Sequence, residues 1–284
     1  MSSVLQLLRT ERVDLHASAS ALRCLEACPR QHWYHYVEGR PPEDTPAHLV
    51  LGSAIHKALA LFYAAMRDGA PEPGLDQIVG VAGAAISGAV ASNPPVLFRN
   101  GQGPGDLVEE ARRLLAAFVA DGYRPQQVLG VEVPFAFELT HPETGELLGF
   151  EERIVGALDL VVADAEDNLV VVDHKVTSRC DPQRGERADL QMSLYSWAAR
   201  QLFGVERVGL RYQNVVRTKT PKVVHQPVQR LPHDEAEGIE AAVAGLVLVH
   251  TAVGEPNGKR LMARRRSWRC ADCSWRARCA EDRA

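Results

Sequence analysis

Asp159, Asp173 and Lys175 are the residues in this chain whose types and spacing best suit chemistry. Asp159 lies inside the apolar run Ile154 to Val162, and Asp173-His174-Lys175 closes a second run that begins at Leu169. Between the runs stands Asp164-Ala165-Glu166-Asp167-Asn168, rich in residues that favour tight reversals. Two strands joined by so short a connection lie side by side, so the two carboxylates can converge. Asp173 and Lys175 are two positions apart and share one face of a strand. Paired carboxylates hold Mg²⁺ or Mn²⁺ through hard oxygen ligands. A neighbouring ammonium can orient an attacking water or stabilise charge in the transition state. That set suits metal-assisted hydrolysis of a phosphodiester. The plainer alternative is an aspartate serving as turn former or ion-pair partner, for Asp-x-Lys alone is a common tripeptide.

The elements that must position these residues follow from periodicity. Ile55, Leu59, Phe62 and Met66 recur at helical spacing, so Gly52 to Ala65 is a helix, and it carries His56. Further helices are expected at Asp76 to Ala91 and Leu107 to Asp121, with a Pro/Gly/Asn-rich loop from Asn93 to Gly105 between them. Strands are expected at Val128 to Leu139, Glu151 to Val162 and Leu169 to His174. Then come a helix from Leu190 to Phe203, strands at Val205 to Val216 and Lys222 to Val228, and a helix from His233 to Thr251. Gln191 and Tyr195 form an i,i+4 pair on one helix face. Glu132 reads as a supporting or structural acid more readily than as a metal ligand. Helix, three strands, helix, strand is the order of an α/β core with a mixed central sheet flanked by helices. The chain divides into an N-terminal tail (1–17) and one domain (18–284). That domain comprises a helical part (18–125), an α/β core (126–232) and a C-terminal helix with a cysteine-rich segment (233–284).

Composition narrows the class. Hydrophobic residues make up 46% and charged residues 24% of the 284, as in an ordinary soluble globular protein. A formal charge of −4 argues against indiscriminate polyanion binding by the whole surface. The segment from Lys259 to Arg278 is the exception, with Lys259, Arg260, Arg264, Arg265, Arg266, Arg269, Arg276 and Arg278 against Asp272 alone. Trp268 and Trp275 are interleaved with these cations, a combination suited to phosphate contacts and base stacking on single strands. A solvated basic helix is the plainer reading. A smaller basic stretch, Arg217 to Lys222, falls in an expected hairpin. No apolar N-terminal stretch reads as a signal peptide or membrane span, which points to the cytoplasm. No Gly-x4-Gly-Lys-Ser/Thr motif occurs, so the chain carries no helicase motor of its own.

Six cysteines in a reducing compartment suggest metal binding before disulfides. Cys270-x2-Cys273-x5-Cys279 is a metal or cluster spacing that wants a fourth thiolate, with Cys24 and Cys28 as candidates. By spacing alone, zinc and an iron–sulfur cluster are both open. Cys180 stands apart.

Six stretches, in order, give the chain a resemblance to the PD-(D/E)XK nuclease superfamily. They are Ser18-Ala-Ser-Ala-Leu22 with Cys28-Pro-Arg30 and Trp33, Tyr34 and Tyr36; Gly52-x3-His56; the Asp159 strand; Asp173-His-Lys175; Gln191-x3-Tyr195; and the C-terminal cysteines. Within the superfamily it is similar to the RecB-like exonuclease branch with an iron–sulfur cluster, which includes the AddB nuclease domain and the CRISPR-adaptation nucleases. The resemblance implies a restriction-endonuclease-like core. His56, Asp159, Asp173 and the backbone carbonyl of His174 would hold Mg²⁺ or Mn²⁺, with Lys175 catalytic and Gln191 and Tyr195 near the scissile phosphate. It selects Cys28 as the fourth ligand beside Cys270, Cys273 and Cys279 for a [4Fe–4S] cluster, zinc being the less favoured occupant. Cys24 is then a bystander. Single-stranded DNA or DNA with free ends would be the partner, met by Arg264, Arg265, Arg266 and Trp268. Helicase, recombination or CRISPR-adaptation proteins are possible companions. The reading is a metal-dependent deoxyribonuclease with exonuclease action favoured. Its rivals are a DNA-binding or adaptation subunit with a vestigial site, and an endonuclease on the same fold.

Overall fold

A computed structural model describes residues 17–141, 144–150, 152–164, 168–181, 188–229 and 233–282. In chain order the elements are α1 (Ala19–Ala27), α2 (Pro29–His32) running into a π-turn (Trp33–Val37), β1 (Thr45–Pro46), α3 (Ala47–Arg67), α4 (Leu75–Val90), β2 (Val96–Leu97) and α5 (Pro104–Asp121). There follow β3 (Gln127–Glu138), β4 (Arg153–Ala163), β5 (Leu169–Thr177), α6 (Leu190–Phe203), β6 (Gly209–Val216), β7 (Lys222–Val228), α7 (Asp234–Gly254) and α8 (Arg276–Glu281). The chain gathers into two units built from interleaved stretches. One comprises Asp44–Phe135 and Ala157–Glu235; the other comprises the described parts of Met1–Glu43, Ala136–Gly156 and Ala236–Ala284.

The sheet runs β3-β4-β5-β6-β7. β4 and β5 are antiparallel, with Leu160 opposite Val172. β5 and β6 are parallel, with Lys175 opposite Asn214, and β7 returns antiparallel with Val223 opposite Val215. This is the mixed α/β sheet flanked by helices that the order of elements led us to expect. Alternation then divides β5 between its two faces. Val170 and Val172 join Leu160 and Val162 in a buried cluster with Leu51, Ile55, Leu59 and Phe62 of α3, Ile78 and Ile86 of α4, and Leu114 and Phe118 of α5. Asp173 and Lys175 take the other face. The carboxylates are therefore carried on a strand whose reverse side is clamped by apolar packing.

Local chemistry sets the ends. Asp189 caps α6 by accepting the N–H groups of Gln191 and Met192, each at 3.1 Å. Gly204 ends the helix in the left-handed region at φ 64°. The chain needs several residues to recover from that turn, so β6 begins at Gly209 and not at Val205. Helix α5 starts a turn before Leu107 because Pro104 suits its first position. There Asp106 accepts the Gly103 N–H at 2.8 Å. The Asn93 to Gly105 stretch includes β2, paired parallel to β1 through Thr45 and Val96. Of the expected turn after β4, Ala165 to Asp167 lie outside the described residues. At its ends the Asp164 carboxylate accepts the Asn168 N–H at 2.9 Å.

The second unit leans on polar ties. Ser18 Oγ caps α1 through the Ala21 N–H at 3.1 Å. Arg30 is buried and donates to the carbonyls of Met262 (2.9 Å) and Lys259 (2.7 Å). Tyr34 donates to Asp282 Oδ2 at 2.6 Å, and Lys259 bridges Asp282 (2.6 Å) and Glu38 (3.0 Å). Glu43 accepts from the N–H groups of Ala277 (3.2 Å) and Arg278 (3.0 Å) at the start of α8. Leu25, Val249, Ala252 and Met262 supply an apolar cluster beside these ties. Helices α3 and α7 are long and apolar enough to cross a membrane by length and composition alone. The buried face of α3, in the cluster above, accounts for its apolarity within the fold.

Candidate active site and cysteine group

Around β5 the expected polar residues come together. Lys175 Nζ lies 2.7 Å from Asp173 Oδ2 and donates to Gln191 Oε1 at 2.9 Å. The other end of the Gln191 carboxamide donates to Asp173 Oδ1 and to Tyr195 Oη, each at 2.8 Å. The i,i+4 spacing on α6 thus turns both side chains toward the Asp173–Lys175 strand. Asp173 is 1% exposed. Burial pushes its carboxyl up to about 6, with Asp159 adding to the rise while Lys175 opposes it.

Asp159 Oδ2 accepts the backbone N–H of His174 at 2.8 Å and lies 3.5 Å from His56 Nδ1. Burial raises the Asp159 carboxyl, but His56 and the His174 N–H outweigh it and hold the group below the usual carboxylate range. His56 shows the converse: burial lowers it, yet Asp159 keeps it above an ordinary imidazole. Two buried carboxylates are driven in opposite directions by their surroundings, as in sites that divide acid and base roles. The side chain of His174 points away from Asp173 on the strand. It is buried, and burial lowers its ring to about 4.

Glu132, read from the sequence as a supporting or structural acid, is brought by the fold beside His56 and Asp159. The ligand atoms of His56, Glu132 and Asp159 lie within 4.8 Å of one another. Burial and the charge of Asp159 raise the Glu132 carboxyl. Its backbone sits at φ 49°, in the left-handed region that a non-glycine residue seldom adopts inside a strand. Nearby, a Cβ on Gly130 would come within 2.3 Å of Val133 Cγ2, so β3 is tightly kinked here and requires glycine. Strain of this kind gathers at functional sites. The paired signal in the sequence is Gly130 and Pro134 flanking an acid in an apolar strand. An imidazole and several crowded carboxylates, two of them raised, form a donor set that a divalent cation would relieve. The site fits a hard metal ion.

In the other unit, the thiol of Cys273 is raised by burial and by the neighbouring Cys28, Cys279 and Cys270, so the four expected cysteines share one locality. Cys24 belongs there too. Burial, then Cys28 and Cys273, push its thiol up to about 12. It precedes Cys28 by one helical turn, and Cys28 N–H donates to the Cys24 carbonyl at 2.9 Å. Of the expected DNA-binding residues, Trp268 is 79% exposed, with the Arg269 guanidinium 5.6 Å from its ring centre. Arg265 and Arg266 are exposed, and Arg265 donates to the Glu26 carbonyl. Arg264 is half-buried and donates to the Asp282 carbonyl at 2.9 Å.

The model of the PD-(D/E)XK nuclease superfamily matches residues 16–280. The chain belongs to that superfamily. PD-(D/E)XK nucleases use divalent metals to hydrolyse nucleic-acid backbones, and the matched span includes Asp159, Asp173 and Lys175. The fold is correspondingly like that of a candidate exonuclease from Eubacterium rectale, at a TM-score of 0.51 and 15% identity, over 90% of this chain and 85% of that one. A second solved structure, of SSO0001, aligns at 15% identity over 96% of this chain and 90% of that one, with a TM-score of 0.38. No curated protein matches the chain. This PD-(D/E)XK nuclease therefore has its hydrolytic class from the superfamily and the detail of its site from its own residues.

Proposed function

We propose that this nuclease is a Mg²⁺- or Mn²⁺-dependent deoxyribonuclease that degrades single-stranded DNA, or DNA with free ends, as an exonuclease. One observation carries the reading. Lys175, Asp173, Gln191 and Tyr195 form a continuous polar chain, and Asp159 couples that chain to His56 and Glu132. His56, Glu132, Asp159 and Asp173 would hold the metal, with the His174 carbonyl as a further ligand. When bound, a divalent ion polarises the phosphate and makes water nucleophilic near neutral pH.

The chain's own groups do the rest. Asp173 and Gln191 fix the Lys175 ammonium from two sides, so its charge is preorganised for the scissile phosphate and for the water in line with the departing 3′ oxygen. Hydrolysis then leaves a 5′-phosphate on one product. Gln191 sets the position of the Tyr195 hydroxyl, and the pair steers the strand. Trp268 with Arg265 and Arg266 offers a stacking and phosphate surface, whereas Arg264, tied to Asp282, supports that segment from within. Exonuclease action is favoured by the likeness to the Eubacterium rectale protein, whose name carries that activity. A cytoplasmic setting suits six cysteines that form no disulfide, and DNA-processing proteins are natural companions.

We also infer that Cys28, Cys270, Cys273 and Cys279 hold a [4Fe–4S] cluster. Shared locality and spacing support a thiolate metal site, and the resemblance to cluster-bearing nucleases favours iron–sulfur, with zinc as the rival occupant. Anaerobic purification with an absorbance spectrum and total iron and zinc separates the two. For the activity, end-labelled single-stranded DNA incubated with Mg²⁺ or Mn²⁺ should be shortened from one end, and closed circular single strands should survive. Cleaved circles would replace the exonuclease with an endonuclease. Intact DNA under every divalent ion would leave a DNA-binding subunit.

A further inference from the structure

His174 is the middle residue of Asp173-His174-Lys175, yet its side chain works on the opposite side of the strand from its neighbours. It is 2% exposed. Its ring stacks on Tyr63 (centroids 5.4 Å apart, planes at 8°) and meets His56 edge to face (5.9 Å, 76°). Tyr63 and His56 are both on α3, two turns apart on one helix face. The imidazole of His174 is thus lodged against two rings of the same helix.

Gln213, fully buried on β6, decides which form that imidazole takes. Gln213 Oε1 accepts the backbone N–H of Tyr123 at 2.9 Å and the Tyr63 hydroxyl at 3.1 Å. A backbone N–H can only donate, so this end of the amide is its oxygen. The NH₂ end faces His174 Nδ1 at 3.2 Å. An amide NH₂ can only donate, so Nδ1 must accept and the ring proton sits on Nε2. Nε2 itself is buried with no hydrogen-bond partner among the described residues. One tautomer satisfies the relay. The other would set two donors against each other in a buried site, which is costly.

We propose that His174, held by Gln213 and Tyr63, is a positioning residue for the metal centre and acts through His56. The strand that carries Asp173 and the helix that carries His56 are separate elements, and a ligand set drawn from both needs a fixed distance between them. The His174 ring provides it: its place on β5 is fixed by the strand, its tautomer by Gln213 and its two ring contacts by α3. The residue between the carboxylate and the lysine thereby sets the geometry of a ligand on a separate element. This deepens the nuclease reading and rests on it.

Long-range ¹H–¹⁵N spectra of protein labelled at histidine, with Mn²⁺ titration in the absence of DNA, test the proposal. The wild type should show the His174 proton on Nε2. Gln213→Glu presents an acceptor of the same size, so it should move the proton to Nδ1 and weaken Mn²⁺ binding about tenfold, the order typical of groups behind a ligand. His174→Asn offers an oxygen to Gln213 but removes the ring from His56; it should keep the fold and lose Mn²⁺ affinity to a similar extent. A wild-type proton on Nδ1, or variants that bind Mn²⁺ like the wild type, would overturn the positioning role alone. A wild type that binds no Mn²⁺ and is indifferent to Asp159→Asn would overturn the nuclease reading, and this one with it.

Discussion

The unit that holds Asp173 and the unit that holds Cys28 and Cys273 are stabilised by different physics. The first packs β4, β5 and β6 against α3, α4 and α5 through a large apolar cluster, with Leu51, Ile55 and Leu59 fully buried. Its polar residues ride on elements already fixed by that cluster. Around the cysteines, the ties are a buried arginine on two carbonyls, a tyrosine on a carboxylate and a lysine between two acids. Burying apolar area stabilises without regard to direction, whereas polar ties work only in one geometry and cost dearly when half-made. A rigid apolar base therefore suits chemistry that must be exact to fractions of an ångström. A polar, thiol-rich unit suits a fold that would depend on a group held by its cysteines.

The largest expected effect sits in the first unit. Lys175→Ala should lower the rate of DNA hydrolysis about a thousandfold, the scale of losing a preorganised charge stabiliser. The fold should survive, because the packing behind β5 is untouched. Unchanged turnover would break the assignment of the site. The matching change in the second unit, Cys273→Ser, should act the other way round. It should remove bound metal and visible absorbance, and hydrogen exchange should quicken in Ala19–Val37 and Gly258–Glu281 while Ala47–Arg67 and Leu169–Thr177 keep their protection. If all four segments loosen together, the contrast between the units is false.

How much of this the residues announced follows the same divide. Asp159, Asp173 and Lys175 were legible because strand alternation and a short reversal are local rules. Gln191 and Tyr195 were legible because i,i+4 spacing means one helix face. The nearness of Glu132 to His56 was not, since that exposed strand residue sits in the left-handed backbone region. Propensity carries no sign of that, and only the flanking Gly130 and Pro134 hint at it. His56 needed its partner in space, 103 positions along the chain. Gln213 gave no signal at all: a buried glutamine acquires meaning only from what lies at each end of its amide. In the thiol unit the spacing of Cys270, Cys273 and Cys279 was plain and offered Cys24 and Cys28 alike as partners; the resemblance set Cys24 aside, yet it shares the locality of Cys28 and Cys273.

Acid sharpens the comparison at a smaller scale. Asp173 is pushed up to about 6 by burial. It therefore keeps its proton to higher pH than an ordinary carboxyl, and a metal must displace that proton. His56, held above an ordinary imidazole by Asp159, must lose its proton as well, so the Mn²⁺ affinity of this unit should fall steadily from neutral pH downward, by about tenfold per pH unit or more once both groups hold their protons. Asp282 has the opposite sign. Burial raises it, but Lys259 and Tyr34 outweigh that and hold it down to about 2. The stability it contributes is complete above the ordinary carboxyl value and is lost only as pH falls toward about 2. Across roughly pH 5 to 8 this tie stays ionised, so segment exchange in Gly258–Glu281 should be steady while Mn²⁺ affinity changes. An affinity that is flat across that range would mean the buried carboxylate is already ionised without metal.

The smallest effect bears most directly on what holds the thiol unit together. Tyr34 is 1% exposed and its hydroxyl donates to Asp282 Oδ2 at 2.6 Å. Tyr34→Phe removes that donor without changing the ring, and a hydrogen bond to a charged group contributes about 2 kcal/mol. Lys259 still neutralises Asp282 in the variant, which keeps the loss from growing into that of an unpaired buried charge. If the polar ties share the load with the cysteines, the variant should lose about 2 kcal/mol of local stability by exchange in Ala19–Val37 and Gly258–Glu281 when the metal is stripped, and less when it is bound. Equal losses in both states would mean that the ties act independently of the thiols. No loss in either would assign the whole of the unit's stability to whatever its cysteines hold.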